Sequence, residues 1–405
     1  MIKHIFIFVI ISLFAANAAF SCTIAIISGK HTIDGKPLLW KHRDSDAFNN
    51  KIVHLKNDRF YAVALIDSDD TEPDNIWIGF NNAGFAIMNS ASYNLKGDDT
   101  TQFSDQEGVF MKKALMACGT IDEFELFIQN YPRPMGVEAN FGVIDALGGA
   151  AYFETDNYKY TKLDVNDPRI APHGYLIHTN FSFTGETDKG AGYIRFNTAE
   201  RLFQQAASEK NLSIDFIIND MMTSLENSLT GESLEDAINK SSIQSDFMYY
   251  QDCINRYSSV SSIVIQGVKP NESPDYTVMW SRVGFPLSSV VIPVFLDANG
   301  ALPKVVSAPA NENSAVCDKA LLLKKKMVPI RRGSGKYYIN LTQVANSENN
   351  GIRQLLEPVD KAILSKTVEV IQQWQSKPDE PKNLSLFNDW IDKKVSASYK
   401  ELFGI

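Results

Sequence analysis

The chain has 405 residues and a formal net charge of -9 at pH 7, with 39 Lys and Arg against 48 Asp and Glu. This length allows a large apolar core, arranged as one large domain with an appendage or as two domains. The acidic balance argues against a nucleic-acid partner, because phosphate binding depends on clustered Lys and Arg. The densest basic runs, residues 324–326 and 331–332, are predicted to be solvated surface.

The first 21 residues have the pattern of a bacterial secretory signal. Lys3 and His4 precede an apolar run, and small residues follow up to Ser21. Cleavage between Ser21 and Cys22 would make Cys22 the first residue of a periplasmic or secreted protein and give it a free α-amino group. The alternative is a lipoprotein signal, in which Cys22 carries lipid and anchors the chain to a membrane. The bulky Phe20 fits that signal poorly, which favours the free cysteine.

The positions of the cysteines and histidines predict neither disulfide bonds nor a metal site. Cys22, Cys118, Cys253 and Cys317 are far apart, so we expect no disulfide framework. The histidines after the leader form no HExxH or Cys/His zinc pattern, so neither a metal nor another cofactor is expected. Beyond the leader, no apolar run is long enough to span a bilayer.

Short apolar runs separated by turn residues predict strands in the first part of the chain. The first strand covers residues 23–27, and a turn at Asp34-Gly35 leads to a second strand from Leu38. Further strands are predicted at 60–66, 76–80, 84–90, 140–145 and 150–154. Helices are predicted at 110–117 and 121–130, the second capped by Thr120.

The later part of the chain alternates between helical and strand patterns. Residues 198–238 carry apolar side chains at helical spacing, and strands are predicted again at 260–267 and 276–280. This order indicates an α+β fold in a domain that spans residues 22–300. Residues 301–405, with helical segments at 351–375 and 384–402, are predicted to form a mostly helical C-terminal extension.

A cysteine at the N-terminus combines a nucleophile and a base in one residue. Its thiol has an unperturbed pKa of about 8.5 and its α-amine one of about 7.7 to 8, so the amine can take the thiol proton near neutral pH. The thiolate could then attack an amide carbonyl, form a thioester and release an amine. Cys22 is therefore the candidate nucleophile.

The segment CTIAIISGKHTIDGKPLLWKHRDSD, which begins at Cys22, resembles the N-terminal nucleophile (Ntn) cysteine hydrolases. The resemblance is to the choloylglycine hydrolase and penicillin V acylase superfamily, with its acyl-CoA:6-aminopenicillanic acid acyltransferase and dipeptidase branches. It covers most of residues 22–296. It implies a four-layer αββα Ntn-hydrolase sandwich in which Cys22 starts a central strand, and an activity that hydrolyses a linear amide C–N bond.

The resemblance also implies a carboxylate and a basic residue at the end of the second strand. Asp44 is the preferred carboxylate and would hold the N-terminal cysteine. The usual pattern is Arg-Asn-x-Asp, and its alignment on Asp44 puts Lys41 where the Arg is expected. A shift by two residues puts Arg43 there instead. Both Lys41 and Arg43 are left open for this role.

Three later segments resemble the remaining site motifs of the superfamily. In residues 80–90, Asn89 is the candidate to donate its amide N–H to the developing oxyanion. In residues 176–182, Asn180 would be a second Asn at the catalytic centre, with His178 as a packed structural residue. In residues 197–201, Arg201 is carried over as an arginine in the first turn of a helix.

The substrate implied by the resemblance is a small-molecule acyl amide, such as a bile salt, penicillin V or an N-acyl amino acid. The aromatic residues that could line an acyl pocket are Phe103, Phe110, Phe141, Phe181 and Phe183. A dipeptidase or an acyltransferase of the same fold is the alternative. From another class, the chain could be a lipid-anchored binding protein without catalytic activity. A homo-oligomer is left open.

Overall fold

The structure is a computed structural model that describes residues 21–377 and 382–405. The predicted leader, apart from Ser21, lies outside the described residues. The strands are β1 (Thr23–Ile27), β2 (Leu38–Asp44), β3 (Asn50–Lys56), β4 (Tyr61–Asp67), β5 (Ile78–Asn81), β6 (Ala86–Ala91), β7 (Ala139–Ile144), β8 (Ala150–Thr155), β9 (Tyr160–Asp164), β10 (Tyr175–His178), β11 (Phe247–Tyr249), β12 (Ser259–Gln266), β13 (Val278–Val283), β14 (Ile292–Val294) and β15 (Tyr338–Asn340).

The helices are α1 (Glu107–Leu115), α2 (Ile121–Asn130), α3 (Tyr193–Ser208), α4 (Ile214–Phe216), α5 (Glu235–Ile238), α6 (Ala315–Met327), α7 (Leu341–Val344), α8 (Ile352–Ser376) and α9 (Leu384–Phe403). A π-helical turn covers Ile217–Met221, and single 3-10 turns cover Pro274–Tyr276, Pro286–Ser288 and Gly333–Tyr337.

Two antiparallel sheets dominate the part of the chain that is described. The six-stranded sheet has the order β10-β1-β2-β12-β13-β14, and the seven-stranded sheet runs in chain order from β3 to β9. Strands β11 and β15 pair separately. The position of β1 between β10 and β2 places the residue before it, Cys22, at the end of a central strand.

The two sheets pack face to face at close range. Ile26 of β1 points at Gly142 of β7 in the opposite sheet. A Cβ at Gly142 would lie 2.9 Å from Met88 Cε and 3.2 Å from Ile26 Cδ1, so a larger residue here would push these side chains aside. The apolar side chains between the sheets are almost wholly buried and form the main part of the core.

Helices cover the outer face of each sheet. On the seven-stranded sheet, Phe110 of α1 contacts Phe141 with 4.7 Å between ring centroids, and Phe124 of α2 contacts Phe153 at 5.0 Å. On the six-stranded sheet, Phe203 of α3 contacts Trp40 at 6.4 Å. Helix, sheet, sheet and helix follow one another, and the predicted four-layer αββα fold is confirmed.

The sequence located most elements and missed several boundaries. Helix α2 has the predicted bounds, and Thr120 accepts the predicted capping hydrogen bond from Glu123 N. Helix α3 begins at Tyr193 rather than at residue 198, which changes the arginine in its first turn. Strand β3 and helix α6 were not predicted: β3 is an edge strand with interspersed polar residues, and α6 follows a loop rich in Pro and Asn.

The mostly helical C-terminal extension packs on the β13–β14 end of the six-stranded sheet. Phe295, next to β14, contacts Trp374 of α8 at 5.1 Å and Phe387 of α9 at 5.9 Å. The prediction of a solvated basic run is wrong for Lys324, which is only 6% exposed because α6 buries that face against the sheet. Its neighbours Lys325 and Lys326 are exposed as predicted.

A buried ion cluster joins the extension to the six-stranded sheet. Arg282 of β13 donates to Asp360 Oδ2 of α8 at 2.8 Å, and Arg353 of the same helix pairs with the same oxygen. The second oxygen of Asp360 accepts the backbone N–H of Val291 at 2.8 Å. Throughout the described ranges, no helix combines the length and apolar character that crossing a membrane requires.

We expect Asp360→Asn to lower the free energy of unfolding by about 3–5 kcal/mol, because two buried guanidinium groups then lose their carboxylate. Glu357→Gln, on the same helix, removes an exposed pair with Lys361 and should cost less than about 1 kcal/mol. Urea titration of both variants measures the difference. Equal effects would show that the buried cluster contributes no more than a surface pair.

Candidate active site

The pairing of β1 with β2 brings Cys22 next to the charged end of β2. Thr23 pairs with His42 and Ile24 with Lys41, so the same register sets Cys22 opposite Arg43. Side chains alternate between the faces of a strand. Lys41 and Arg43 therefore lie on the face of Cys22, while His42 lies on the opposite face.

Five of the seven predicted site residues line one cavity of about 670 Å³ in the described chain: Cys22, Lys41, Arg43, Asp44 and Asn89. Three aromatic side chains, Trp77, Tyr93 and Phe103, line the same cavity. The sequence motifs that were spread over 68 positions of the chain, from 22 to 89, thus converge on one concave surface. Such a cavity is the usual setting for a small-molecule site.

Each carboxylate oxygen of Asp44 accepts a hydrogen bond from a residue in or just before β12. Ser259 Oγ donates to Asp44 Oδ1 at 2.7 Å, and Arg256 Nε donates to Asp44 Oδ2 at 2.8 Å. Because the Ser259 proton goes to Asp44, Ser259 Oγ accepts from His42, whose Nε2 lies 2.9 Å away. Sequence analysis missed Arg256 and Ser259, which lie more than 210 residues after Asp44.

His42 in this chain of hydrogen bonds is neutral. Burial lowers its pKa to about 4, the charge of Asp44 opposes this fall, and the charges of Arg256 and Arg195 add to it. A neutral His42 with its proton on Nε2 can donate to Ser259 without placing a further positive charge beside Arg256.

Lys41 and Arg43 have different partners. Arg43 makes a bidentate pair with Asp67, at 2.7 and 3.1 Å, and its guanidinium lies 4.3 Å from the centre of the Trp77 ring. Lys41 Nζ instead donates to the backbone oxygen of Asn89 at 2.6 Å and to its Oδ1 at 2.7 Å. The charge of Arg43 is thus neutralised by Asp67, whereas that of Lys41 is not.

Lys41 is buried, and its environment favours loss of its proton. Burial lowers the pKa of Lys41 to about 8, the nearby Cys22 opposes this effect, and the charge of Arg43 adds to it. The contact with Lys41 also orients Asn89, because only the side-chain oxygen can accept from an ammonium. The amide nitrogen of Asn89 is then left to donate in another direction.

Asn180 does not line the cavity but is connected to Cys22 through an arginine that sequence analysis missed. Arg195 Nη1 donates to the backbone oxygen of Cys22 at 2.6 Å and to Thr23 Oγ1 at 2.8 Å, and its Nη2 donates to Asn180 Oδ1 at 2.8 Å. The side-chain nitrogen of Asn180 donates to the backbone oxygen of Ala91 at 2.9 Å. Arg195 therefore fixes both the nucleophile's backbone and Asn180.

Arg201 lies apart from this group. It is half exposed and pairs with Glu226 at the surface. Because α3 begins at Tyr193, the arginine of its first turn is Arg195, and Arg201 lies more than one turn later on another face. The residue before the helix is Gly192, with φ of +87°, and a glycine gives a weaker sequence signal for a helix start than Ser, Thr, Asn or Asp.

The remaining candidates from the sequence are distributed between the site and the core. His178 is fully buried and bonds to Glu154 at 2.8 Å, as expected of a structural residue. Of the five phenylalanines, Phe103 lines the cavity, whereas Phe110 and Phe141 belong to the core beneath α1. Phe181 and Phe183 pack on Phe196 of α3.

A second cavity of about 550 Å³ is lined in part by residues of helix α6. Phe48 and Tyr257 also line it, and in the chain they directly follow Ala47, which lines the first cavity, and Arg256. Lys324 Nζ lies 4.5 to 4.6 Å from the centres of the Phe48, Tyr257 and Phe285 rings, so its charge faces three aromatic rings. Among residues 21–377 and 382–405, no group of three or more His, Cys, Asp or Glu could hold a metal ion.

Comparisons with known proteins find similar solved structures but no matching sequence family. No family model matches the chain, and no curated protein does. A conjugated bile acid hydrolase from Clostridium perfringens aligns over 69% of this chain and 92% of its own, with 11% identity and a TM-score of 0.41. Penicillin V acylase from Agrobacterium tumefaciens aligns over 72% of this chain and 92% of its own, with 11% identity and a TM-score of 0.37.

What this chain binds or cleaves has to follow from its own site, because likeness at this level extends no further than the general arrangement of the chain.

Acidification should destabilise the protein through His42. Its pKa is about 4 in the folded chain against 6.5 in the unfolded chain, so its contribution is fully present above pH 6.5 and is lost as the pH falls toward 4. The total is about 3 kcal/mol. Urea unfolding at pH 4 to 7 should show the free-energy difference between wild type and His42→Gln shrinking by up to this amount. Parallel profiles would exclude a buried neutral His42.

Proposed function

We propose that this chain is an exported hydrolase of linear amide C–N bonds that uses Cys22 as an N-terminal nucleophile. The observation that carries the proposal is that Cys22 lines a cavity together with Lys41, Asp44 and Asn89. These residue types supply a nucleophile, a positive charge, a carboxylate and an amide donor, which is a sufficient set for acyl transfer through a thioester.

The other three thiols are poor candidates for the nucleophile. All four cysteines are free and buried, but burial raises the pKa of Cys118 and Cys253 to about 12 and that of Cys317 to about 11. At neutral pH these thiols are protonated and unreactive. Within the described residues, Cys22 alone among them lines the cavity.

The proposed reaction has two steps. The α-amine of Cys22 takes the thiol proton, and the thiolate adds to the amide carbonyl; the C–N bond then breaks and the amine leaves with that proton. Water next attacks the thioester, which releases a carboxylic acid and restores the thiol. No metal or other cofactor enters either step.

Each neighbouring residue has a role in these steps. Asp44, fixed by Ser259 and Arg256, would hold the α-ammonium group of Cys22. Lys41 would fill the basic position, because Arg43 is already neutralised by Asp67. Asn89 would donate to the oxyanion. We assign Asn180 and Arg195 to positioning Cys22, and a direct oxyanion contact from Asn180 stays a prediction.

The alternative of a lipid-anchored binding protein fits the position of Cys22 poorly. Cys22 precedes β1 directly and is 6% exposed, so a lipid on its sulfur would have no spacer between the membrane and the core of the sheet. An acyltransferase differs from a hydrolase in what attacks the thioester, and both share every residue named here.

Replacement of the nucleophile should abolish turnover. We expect Cys22→Ala to lose all measurable hydrolysis of a panel of bile-salt, penicillin V and dipeptide amides, while Cys253→Ala keeps the wild-type rate. In parallel, mass spectrometry of the exported wild-type protein should show a chain that begins at unmodified Cys22 and gains one adduct there from a thiol-reactive acyl analogue. A lipid-sized increment, or activity in Cys22→Ala, would contradict the proposal.

The pH profile should identify the basic residue. If Lys41 supplies a positive charge to the thiolate and the oxyanion, kcat should fall as the pH rises through about 8, because Lys41 then loses its proton. Lys41→Arg keeps the charge and should move this alkaline limb upward by more than one pH unit. Lys51→Arg is the matched control, since Lys51 bonds to Pro309 and Glu312 outside the cavity. An alkaline limb that is the same in all three proteins would exclude Lys41.

A further inference from the structure

The cavity around Cys22 contains an excess of negative charge. In the described chain its carboxylates are Asp44, Asp46, Asp67, Asp99, Asp105, Glu107, Glu138 and Asp156, against Lys41, Arg43 and Lys96 as cations. Asp67 is neutralised by Arg43, and Asp44 by Arg256. Of the other acids, Asp156 pairs with Lys159 and Asp99 accepts from Thr101 and Asn157, whereas no ion pair is formed by Glu107 or Glu138 among the described residues.

Glu107 is the most informative of these acids because of its position. It is the first residue of α1, and its Oε1 accepts the backbone N–H of Glu138 at 3.0 Å. Glu138 in turn accepts the backbone N–H groups of Leu95 and Lys96, at 2.8 and 3.1 Å. Neither carboxylate makes an ion pair with any residue that the structure describes.

The environment of Glu107 opposes its negative charge. Burial raises its pKa to about 7, the N–H of Glu138 opposes the rise, and the charges of Asp105 and Glu138 add to it. A cation placed beside Glu107 would relieve both the burial cost and the repulsion between acids.

The charges of Glu107 and of the nucleophile Cys22 both act on two further residues of the cavity, Tyr93 and Lys41. The Tyr93 hydroxyl has its pKa raised by burial and then by the charges of both Cys22 and Glu107. Lys41 likewise responds to Cys22 and, more weakly, to Glu107. Cys22 and Glu107 also line the same cavity, so a substrate bound there can contact both residues.

Aromatic side chains complete the surroundings. Trp77, Tyr93 and Phe103 line the cavity with Glu107. The face of Trp77 already attracts one cation, the Arg43 guanidinium at 4.3 Å. Carboxylates next to aromatic rings bind ammonium groups well, because the ring face and the carboxylate attract the same charge.

We propose that Glu107 binds a cationic group of the substrate, so that the amide cleaved at Cys22 carries an ammonium group near its scissile bond. This inference rests on the proposed function, since the cavity of Cys22 is taken as the substrate site. It disfavours substrates whose end near Glu107 is a carboxylate or sulfonate, because the same acids would repel them.

Two series of small amides test the inference, with the variable group on either side of the amide. One series is β-alaninamide, butyramide and succinamate, and the other is N-(2-aminoethyl)acetamide, N-propylacetamide and N-acetyl-β-alanine. In at least one series, kcat/KM measured by proton NMR should be about tenfold or more higher for the ammonium member than for the neutral one, and lowest for the carboxylate.

Glu107→Gln should reduce this preference to about twofold or less, because glutamine keeps an acceptor for Glu138 N–H and loses the charge. Glu123→Gln is the matched control. Glu123 also accepts a backbone N–H, from Gly119 at 2.6 Å, but lies outside the cavity, so this variant should keep the wild-type preference.

A binding measurement separates this inference from the hydrolase proposal. Calorimetry of the exported Cys22→Ala chain at pH 7, in buffers of different ionisation enthalpy, should show binding of the ammonium amide with release of about half a proton from Glu107. Glu107→Gln in the same background should show no proton release.

The outcomes are distinct. Hydrolysis without a charge preference, or with a preference for the carboxylate, would overturn the role of Glu107 and leave the hydrolase standing. Preferred binding of the ammonium amide without hydrolysis by the wild type would support Glu107 and count against the hydrolase. If the ammonium amides were neither hydrolysed nor bound, the inference would be overturned.

Discussion

The organisation of the site depends on four consecutive polar residues in the middle of a sheet. Lys41, His42, Arg43 and Asp44 of β2 are all buried, although β2 lies between β1 and β12 in the interior of the six-stranded sheet. Each of these groups needs a polar partner, since a buried charge without one costs several kcal/mol. The partners come from β6, from β12 and from the end of β4. The alternation of the strand thus places the charged Lys41 and Arg43 beside Cys22 and the neutral His42, bonded to Ser259, on the other face.

Those partners explain which parts of the site could be read from the sequence. The strands around Cys22 are local, so apolar runs and turn residues were enough to predict them, whereas the roles of Lys41, Arg43 and Asp44 were implied by the resemblance to a known superfamily. The pairing of Asp44 with Arg256 is not local, because the two residues are joined by pairing of β2 with β12 after more than 200 residues. Arg195 was missed for a different reason: Gly192, with no side chain to cap the helix, precedes α3, whereas the polar pair Asn197-Thr198 suggested a later start.

Lys324 shows a second limit of reading charge from sequence. A run of three lysines normally indicates a solvent-exposed surface, and two of these three side chains are exposed. The third is covered by Phe48, Tyr257 and Phe285, and burial lowers its pKa to about 7 with the charge of Asp44 opposing the fall. The helical period of α6 turns this one side chain toward the sheet, and nothing in the local composition distinguishes it from its neighbours.

The ion cluster of Arg282, Asp360 and Arg353 bears on how this chain can change over evolution. Arg282 lies in β13, whereas its carboxylate comes from the extension, 78 positions later. A descendant that lost the extension would retain a guanidinium in its apolar interior without a counter-charge. Such a deletion would be tolerated only together with an apolar or smaller residue at position 282. Among relatives of this chain, the identity of residue 282 should therefore covary with the presence of the extension.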